Sequence, residues 1–489
     1  MPNTMLWYDL ETFGRNPKYD RIAQFAALRT DQNLQPVDEP VVLFCRLTPD
    51  YLPDPQACLI TGITPETVQR RGLRERDFAE QVHAQLSRPG TCITGYNNIK
   101  FDDEFIRNLF YRNFIDPYAW HYAHGNSRWD LINVVRLAHD LRPDGIIWPR
   151  NEDGKPQFKL DRLTAANGIE HRGAHDALAD VYATIEMAQL LRRTNPRLFQ
   201  FAWEHRTRDK VRSLLDIGIR KPVLHTDGIH TREAGCTTAI APVGVNPENP
   251  KAIIAADLRY DPTAIIELPA EEVRRRIFTS REILEPEQRI HVTEIHENRC
   301  PVLTPIAALD DDSARRLDIN IEQCTEHARM LYRSTLLIQK FQKIYGERPL
   351  REQPEDPELM IYGGGPFGGF FADEDKELFT RIRESSPKAL AGIEPKSHDP
   401  RIPVLLRRYR WRNAWESLTQ QERDRYRAFC AKRLLQPPVT SGLTRETYDK
   451  RIKQLWESPG LDARGSVILK ALKDYGEMLD RTVFQYRTD

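Results

Sequence analysis

The stretch "MLWYDLET", residues 5–12, constrains the fold more than any other part of the chain. Met5, Leu6, Trp7 and Tyr8 read as a buried β-strand, and Asp9 and Glu11 follow one residue apart. Successive strand side chains point to opposite faces, so the two carboxylates share a face. There they repel each other and lose hydration, and burying an ionised carboxylate without a partner is strongly unfavourable. Three arrangements suit such a pair. The acids are exposed at the strand end, where Thr12, Phe13 and Gly14 offer a turn; they are salt-bridged; or they bind a cation.

The 489 residues predict two or three domains. Hydrophobic residues make up 40% and charged residues 29%, as expected of a soluble chain with several cores. No apolar run reaches about 18 residues, so no membrane span is expected. The N-terminus lacks a basic segment followed by a long apolar one, so no secretory signal is expected. The seven cysteines form no C-x-x-C pair. That argues against a zinc site or a disulfide framework and for a reducing compartment. Lys+Arg and Asp+Glu are both 71, so any nucleic-acid surface must come from local arrangement.

Residues 1–195 alternate strand-like and helix-like segments, predicting an α/β or mixed domain with hairpins early and crossovers later. "SRWDLINVVRLAHDL" reads as a helix, and Leu178, Val181, Ile185 and Ala188 form the apolar stripe of another, which Pro196 ends. From about 220 to 310, short β-like runs broken by Pro, Gly and Asn predict a small barrel or sandwich. "CTEHARMLYRSTLLIQKFQKIYG" reads as one long helix, followed by a Pro-rich linker and a mostly helical region. "YGGGPFGGFF", residues 362–371, lacks G-K-[ST] and reads as a flexible turn, not a phosphate-binding loop.

Two further clusters carry possible chemistry. In "GYNNIKFDDEF", Asp102 and Asp103 fall in the first turn of a predicted helix, where acids also favour the positive end. Neighbours on a helix sit about 100° apart, so only one can enter a given pocket. In "HRGAHDALAD", His175 opens a helix and Asp180 lies five residues on. Taken alone, His175 reads as a surface or capping residue.

Together, D-x-E on a first strand, Asp at a later helix start and H-x-x-x-x-D on another helix resemble the DEDD superfamily of 3′→5′ exonucleases, in its histidine variant. "YDLETFG", "YLPDPQACLITGITPETV", "GYNNIKFDDEFIRNLFYRNFIDPYAW" and "ANGIEHRGAHDALADVYATIEMA" narrow the resemblance to bacterial exonuclease I. The resemblance implies an α/β ribonuclease-H-like exonuclease domain (1–195), an SH3-like β-barrel domain with a trailing helix (196–348) and an α-helical C-terminal domain (349–489). It implies Mg²⁺-dependent, processive 3′→5′ degradation of single-stranded DNA to 5′-mononucleotides, in repair and recombination. Asp9, Glu11 and Asp180, completed by Asp102, would hold two Mg²⁺ ions, with Mn²⁺ able to substitute, and His175 would be the general base. Also implied are a monomer in the bacterial cytosol, associated with the nucleoid, and a partner, the single-stranded-DNA-binding protein, through its C-terminal tail.

Between Phe101 and Phe158 lie eleven aromatics in 58 residues, about 19% against 9% for the chain. Such density suits base stacking, and equally suits a core. By resemblance the substrate contacts are Glu11, Arg107, Tyr118, Tyr122, Arg136, Arg142, Phe158 and Lys159. Lys159 stands where relatives carry Arg and would lack the bidentate fork. The glycine-rich 362–371 segment looks longer than the family's. Two alternatives stay open: a proofreading nuclease or 3′ exoribonuclease on the same fold, and a non-catalytic single-strand binding protein on a dead nuclease fold.

Overall fold

Strand β1 (Thr4–Thr12) lies at the centre of a five-stranded sheet ordered β3-β2-β1-β4-β5. Its neighbours are β2 (Ile22–Thr30), β3 (Val41–Phe44), β4 (Thr91–Thr94) and β5 (Ser127–Arg128). β1, β2 and β3 are antiparallel, whereas β4 and β5 run parallel to β1. The computed structural model describes residues 3–171, 176–231, 233–280, 282–346, 354–362 and 370–484.

Both faces of β1 are covered. Met5 and Trp7 pack toward the helices Leu131–Leu141 and Ala177–Thr194, among Val135, Val181 and Ala188. Leu6, Tyr8 and Leu10 pack toward the helices Glu75–Leu86 and Asp102–Arg112, among Phe78, Val82 and Ile106. Burying each large apolar side chain is worth about 1.5–3 kcal/mol. Slipping β1 by one residue would exchange the faces and lose these contacts. The apolar residues therefore fix the register, and Asp9 and Glu11 are carried onto the Trp7 face.

β4 pairs with β1 only from Thr4 to Trp7. The chain then turns away at Gly95, where a Cβ would stand 2.7 Å from the Tyr8 carbonyl oxygen. The C-terminal half of β1 thus has β2 on one side and an opening on the other. In parallel sheets such strand ends are where ligands bind.

A second five-stranded sheet, wholly antiparallel, is ordered β10-β6-β7-β8-β9. It comprises β6 (Val223–Thr226), β7 (Thr237–Asn246), β8 (Asn249–Asp257), β9 (Val292–His296) and β10 (Val302–Pro305). The C-terminal region is helical, with helices Asp373–Glu384, Arg401–Asn413, Gln420–Leu435, Arg445–Trp456 and Ala463–Leu479.

Two local expectations are corrected and a third is extended. "SRWDLINVVRLAHDL" is not one helix: Ser127 and Arg128 form β5, and Asp130 caps the helix by accepting the Ile132 N–H at 3.1 Å. The long helix over 324–346 is two, Ile321–Arg333 and Leu337–Gly346. The break is at Ser334, whose carbonyl, with that of Leu331, accepts the Arg220 guanidinium. Pro196 ends one helix and begins another, Pro196–Glu204, at the position where its missing N–H costs nothing. Most of the glycine-rich segment lies outside the described residues.

The three regions share interiors. One core runs from Trp7 through Trp129 and Trp203 to Ala241, Ile254 and Phe341. Another joins Phe13, Tyr19 and Tyr51 to Trp411, Tyr426 and Leu469. Beside the latter lies a buried ionic network. Arg412 bridges Asp50 at 2.7 Å and Glu358 at 2.5 Å, and Arg433 reaches Asp356 at 3.0 Å and Glu358 at 3.1 Å. Burial pushes the Asp50 carboxyl up, but Arg412, Arg433 and Arg21 outweigh it and hold it well below the usual range.

Removing one partner leaves buried charges uncompensated. Arg412→Ala is therefore expected to cost about 3–5 kcal/mol in chemical denaturation. A loss below about 1 kcal/mol would mean that water already screens the network. Because the folded Asp50 pKa is depressed, its stabilisation is present above the unfolded carboxylate range and is lost as pH falls through the folded value. Asp50→Asn should flatten the acid side of the stability curve.

Candidate active site

Asp9 and Glu11 project from β1 opposite Ala26 and Gln24 of β2. Gln24 also accepts the Ala177 N–H at 3.3 Å, tying the start of helix Ala177–Thr194 to the sheet. Asp176 caps the same helix through the Leu178 N–H at 3.0 Å. Asp180, in the first turn, is thereby held above β1. One ligand oxygen from each of Asp9, Glu11 and Asp180 lies within 4.8 Å of the others.

Asp102 and Asp103 begin helix Asp102–Arg112 and part company, as the 100° rule requires. Asp103 turns into the fold, accepting from Tyr8 at 2.5 Å and from Arg128 at 2.5 Å. Asp102 faces the opening where β4 has ended. It stands outside the three-acid group, yet it raises the pKa of both Asp9 and Glu11.

Asp9, Glu11 and Asp102 resist ionisation. Burial, then Asp102, Asp180 and Glu11, push the Asp9 carboxyl well up. Burial, then Asp180 and Asp102, push Glu11 up to about 9. Burial and then Asp103 raise Asp102, while the Leu10 backbone N–H pulls the other way. The donors are all hard carboxylate oxygens, converging and short of positive charge, which fits Mg²⁺ or Mn²⁺ and does not fit a thiolate-seeking metal. Exposure and salt bridging, the other sequence readings of Asp9 and Glu11, find no counterpart among the described contacts of this pair.

His175 lies outside the described residues. The imidazole seen at the site is that of His171, which the sequence reading passed over. Its Nε2 contacts Asp180 Oδ1, and its Nδ1 stands 3.1 Å from Thr164 Oγ1. The Thr164 hydroxyl also donates to the Leu160 carbonyl at 2.8 Å, which fixes its oxygen beside the His171 ring. "EHRGAHD" holds two histidines, and His171, at 8% side-chain exposure, is the one among the described residues.

The expected strand contacts are scattered in their surroundings. Lys159 is exposed at the start of helix Leu160–Ala166, and Tyr122 is 62% exposed. Arg107 is buried and bonds Glu104 at 2.6 Å. Arg136 donates to Asn133 at 2.6 Å and lies over the Phe158 ring. Arg142 is tied to Asp310 at 3.0 Å and to the Ala308 carbonyl. Phe158 is core, packed edge-on against His139. The aromatic density of 101–158 is also mostly core: Tyr122 alone of the eleven rings is exposed, and seven are buried. The rings are there because two helices and a turn pack on the sheet.

Glu11 provides a test of the electrostatics. A raised folded pKa means that the folded state holds a proton the unfolded state has released. Metal-free protein should therefore lose stability as pH rises from about 4.5 toward about 9. Glu11→Gln should reduce that slope in melts with chelator, and Mn²⁺ should restore the wild type. A slope that Glu11→Gln leaves unchanged would show that the cluster is not strained.

Sequence comparison covers all three regions. The exonuclease family model matches residues 6–188, the exonuclease I SH3-like domain residues 206–347, and the exonuclease I C-terminal domain residues 355–479. Exodeoxyribonuclease I of Escherichia coli K12 is 40% identical over 475 residues, 97% of this chain and 98% of the relative. Exonuclease I from Methylocaldum szegediense superposes with a TM-score of 0.91 at 42% identity, covering 97% of this chain and 99% of that one. E. coli exonuclease I in complex with a dA16 oligonucleotide gives 0.91 at 39% identity, covering 98% and 100%. With matched domains in the same order and a close relative aligned end to end, the chain belongs to the exodeoxyribonuclease I family.

Proposed function

We propose that the chain hydrolyses single-stranded DNA from its 3′ end, processively and with Mg²⁺, releasing 5′-mononucleotides. The observation that carries this reading is the convergence of Asp9, Glu11 and Asp180 on one point, with Asp102 close by in electrostatic terms. Four acids that repel one another have a physical purpose if a cation joins them. Family membership supports the substrate class, since a relative has been solved with a dA16 oligonucleotide.

In this reading Asp9, Glu11 and Asp180, together with Asp102, would hold the divalent cations. Bound ions of this kind activate water and stabilise the leaving oxygen of an in-line displacement. His175 accepts the proton of the attacking water, a task suited to a near-neutral imidazole. Lys159 and Arg136 offer positive charge to phosphates, and Tyr118 and Tyr122 offer rings to bases. The catalytic unit is residues 1–195, the barrel unit 196–348 and the helical unit 349–489. The proposal extends to a monomer in the bacterial cytosol, acting in repair and recombination beside the single-stranded-DNA-binding protein.

End-labelled single-stranded DNA and RNA, incubated with Mg²⁺ or with chelator, test the whole reading on one gel. Shortening of DNA from the 3′ end, with Mg²⁺ only, is expected. Laddering from the 5′ end, or equal cleavage with chelator, would refute it. Asp180→Asn should abolish turnover, and His175→Ala should slow it by roughly 10²–10⁴-fold while strand binding persists. A His175→Ala rate equal to wild type would remove that residue from the mechanism.

A further inference from the structure

The loop that delivers Asp102 to the site is held from two domains. Its first half is fixed inside the first domain: the Asp130 carboxylate accepts the backbone N–H groups of Asn97 and Ile99, at 2.8 and 3.2 Å. Asn97 takes φ 66° there, in the left-handed region that asparagine tolerates better than most residues. The second half leads into helix Asp102–Arg112. That helix begins at Phe101 with no side-chain cap, and an uncapped helix start is held less firmly.

Lys100 supplies the hold, and its partner belongs to the barrel. The ammonium donates to both oxygens of Asp227, at 2.8 and 2.9 Å. Asp227 follows β6 and opens the turn Gly228–His230. Its carboxylate is itself fixed, accepting the Ile229 N–H at 2.9 Å and the Asn133 side-chain amide of helix Leu131–Leu141 at 3.1 Å. Burial pushes the Asp227 carboxyl up, but the Lys100 hydrogen bond and the His225 ring outweigh it and hold it below the usual range. The two domains approach closely here: a Cβ on Gly228 would stand 3.0 Å from the Arg136 guanidinium.

Lys100 is 47% exposed, and an exposed ion pair contributes only about 0–1 kcal/mol to stability. Holding the domains together falls instead to their shared core, which includes Trp129, Trp203 and Ala241. The placement of the pair is more telling than its strength. Lys100 lies two residues before Asp102, so the backbone that Asp227 fixes is the backbone that aims Asp102. Arg128, which holds Asp103, likewise reaches the barrel at the Asn298 carbonyl. Both acids at the start of this helix are therefore referred to the barrel. Mg²⁺ demands near-ideal ligand geometry, and the outer contacts that orient its ligands govern affinity.

We propose that Asp227 is a positioning residue for the metal site: through Lys100, the barrel clamps the loop that presents Asp102. This rests on the reading of Asp102 as a ligand of the divalent ions. Asp227 then serves the reaction without touching metal or substrate, and the barrel has a part in shaping the catalytic centre.

The test is Mn²⁺ binding to full-length protein without DNA, read by electron paramagnetic resonance, with kcat and KM on a labelled oligothymidylate measured beside it at limiting Mn²⁺. Lys100→Met and Asp227→Asn should each weaken Mn²⁺ binding by about 10-fold and lower kcat, with KM for the strand unchanged. The double variant should lose no more than either single one, because both cut the same link. Lys100→Arg, which keeps the paired hydrogen bonds, should bind Mn²⁺ as wild type does. Since Lys100 is half-exposed, Lys100→Met should melt with wild type, and it carries the test if Asp227→Asn does not fold. Wild-type Mn²⁺ affinity in both single variants would overturn the clamp. So would additive losses in the double variant, a change in KM alone, or an equal loss in Lys100→Arg. Wild type that binds no Mn²⁺ would instead refute the metal reading and the clamp with it.

Discussion

Repulsion among Asp9, Glu11, Asp180 and Asp102 is the force against which this structure is built. Nothing within the cluster attracts its members to one another. They are held by packing and hydrogen bonds made elsewhere. Trp7 and Met5 commit β1 to its register, and the acids follow on the same face. Gln24 and Asp176 pin the helix that carries Asp180. Tyr8 and Arg128 hold Asp103, and so set the direction in which Asp102 points. Each buried apolar side chain of this size is worth about 1.5–3 kcal/mol, and this packing holds the acids in place. The site is consequently pre-shaped for a cation.

The support of the site reaches beyond the first domain. Arg128 holds Asp103 with one nitrogen and donates to the Asn298 carbonyl, in the β9–β10 turn, at 2.6 Å with the other. The barrel is thus two hydrogen bonds from the helix that presents Asp102. On the other side, Arg412 and Arg433 lock the C-terminal helices onto Asp50, which lies a short loop after β3. A buried network of this kind contributes little net stability over an apolar equivalent, but separating its halves is costly. It specifies one docking of the C-terminal domain and keeps Phe371 seated beside Tyr111.

The limits of composition are clearest in residues 101–158. A high density of rings and matched charges resembles a nucleic-acid track. The structure spends most of those rings on the interior and leaves Tyr122, with Tyr118 partly covered, for the surface.

The sequence by itself determined the layered first domain, the β-rich middle, the helical end and the acids to watch, because strand and helix periodicities are local and a same-face pair of carboxylates is locally unfavourable. It could also say that Asp102 and Asp103 must diverge, since helix geometry demands it. Only the tertiary structure decided which of the two faces the opening, because that choice depends on Arg128 and Tyr8 arriving from other strands. Tertiary contact likewise brought His171 to Asp180 and buried Phe158 and Arg107. Burial and convergence are properties of neighbours distant in the chain, and no spacing rule along it encodes them.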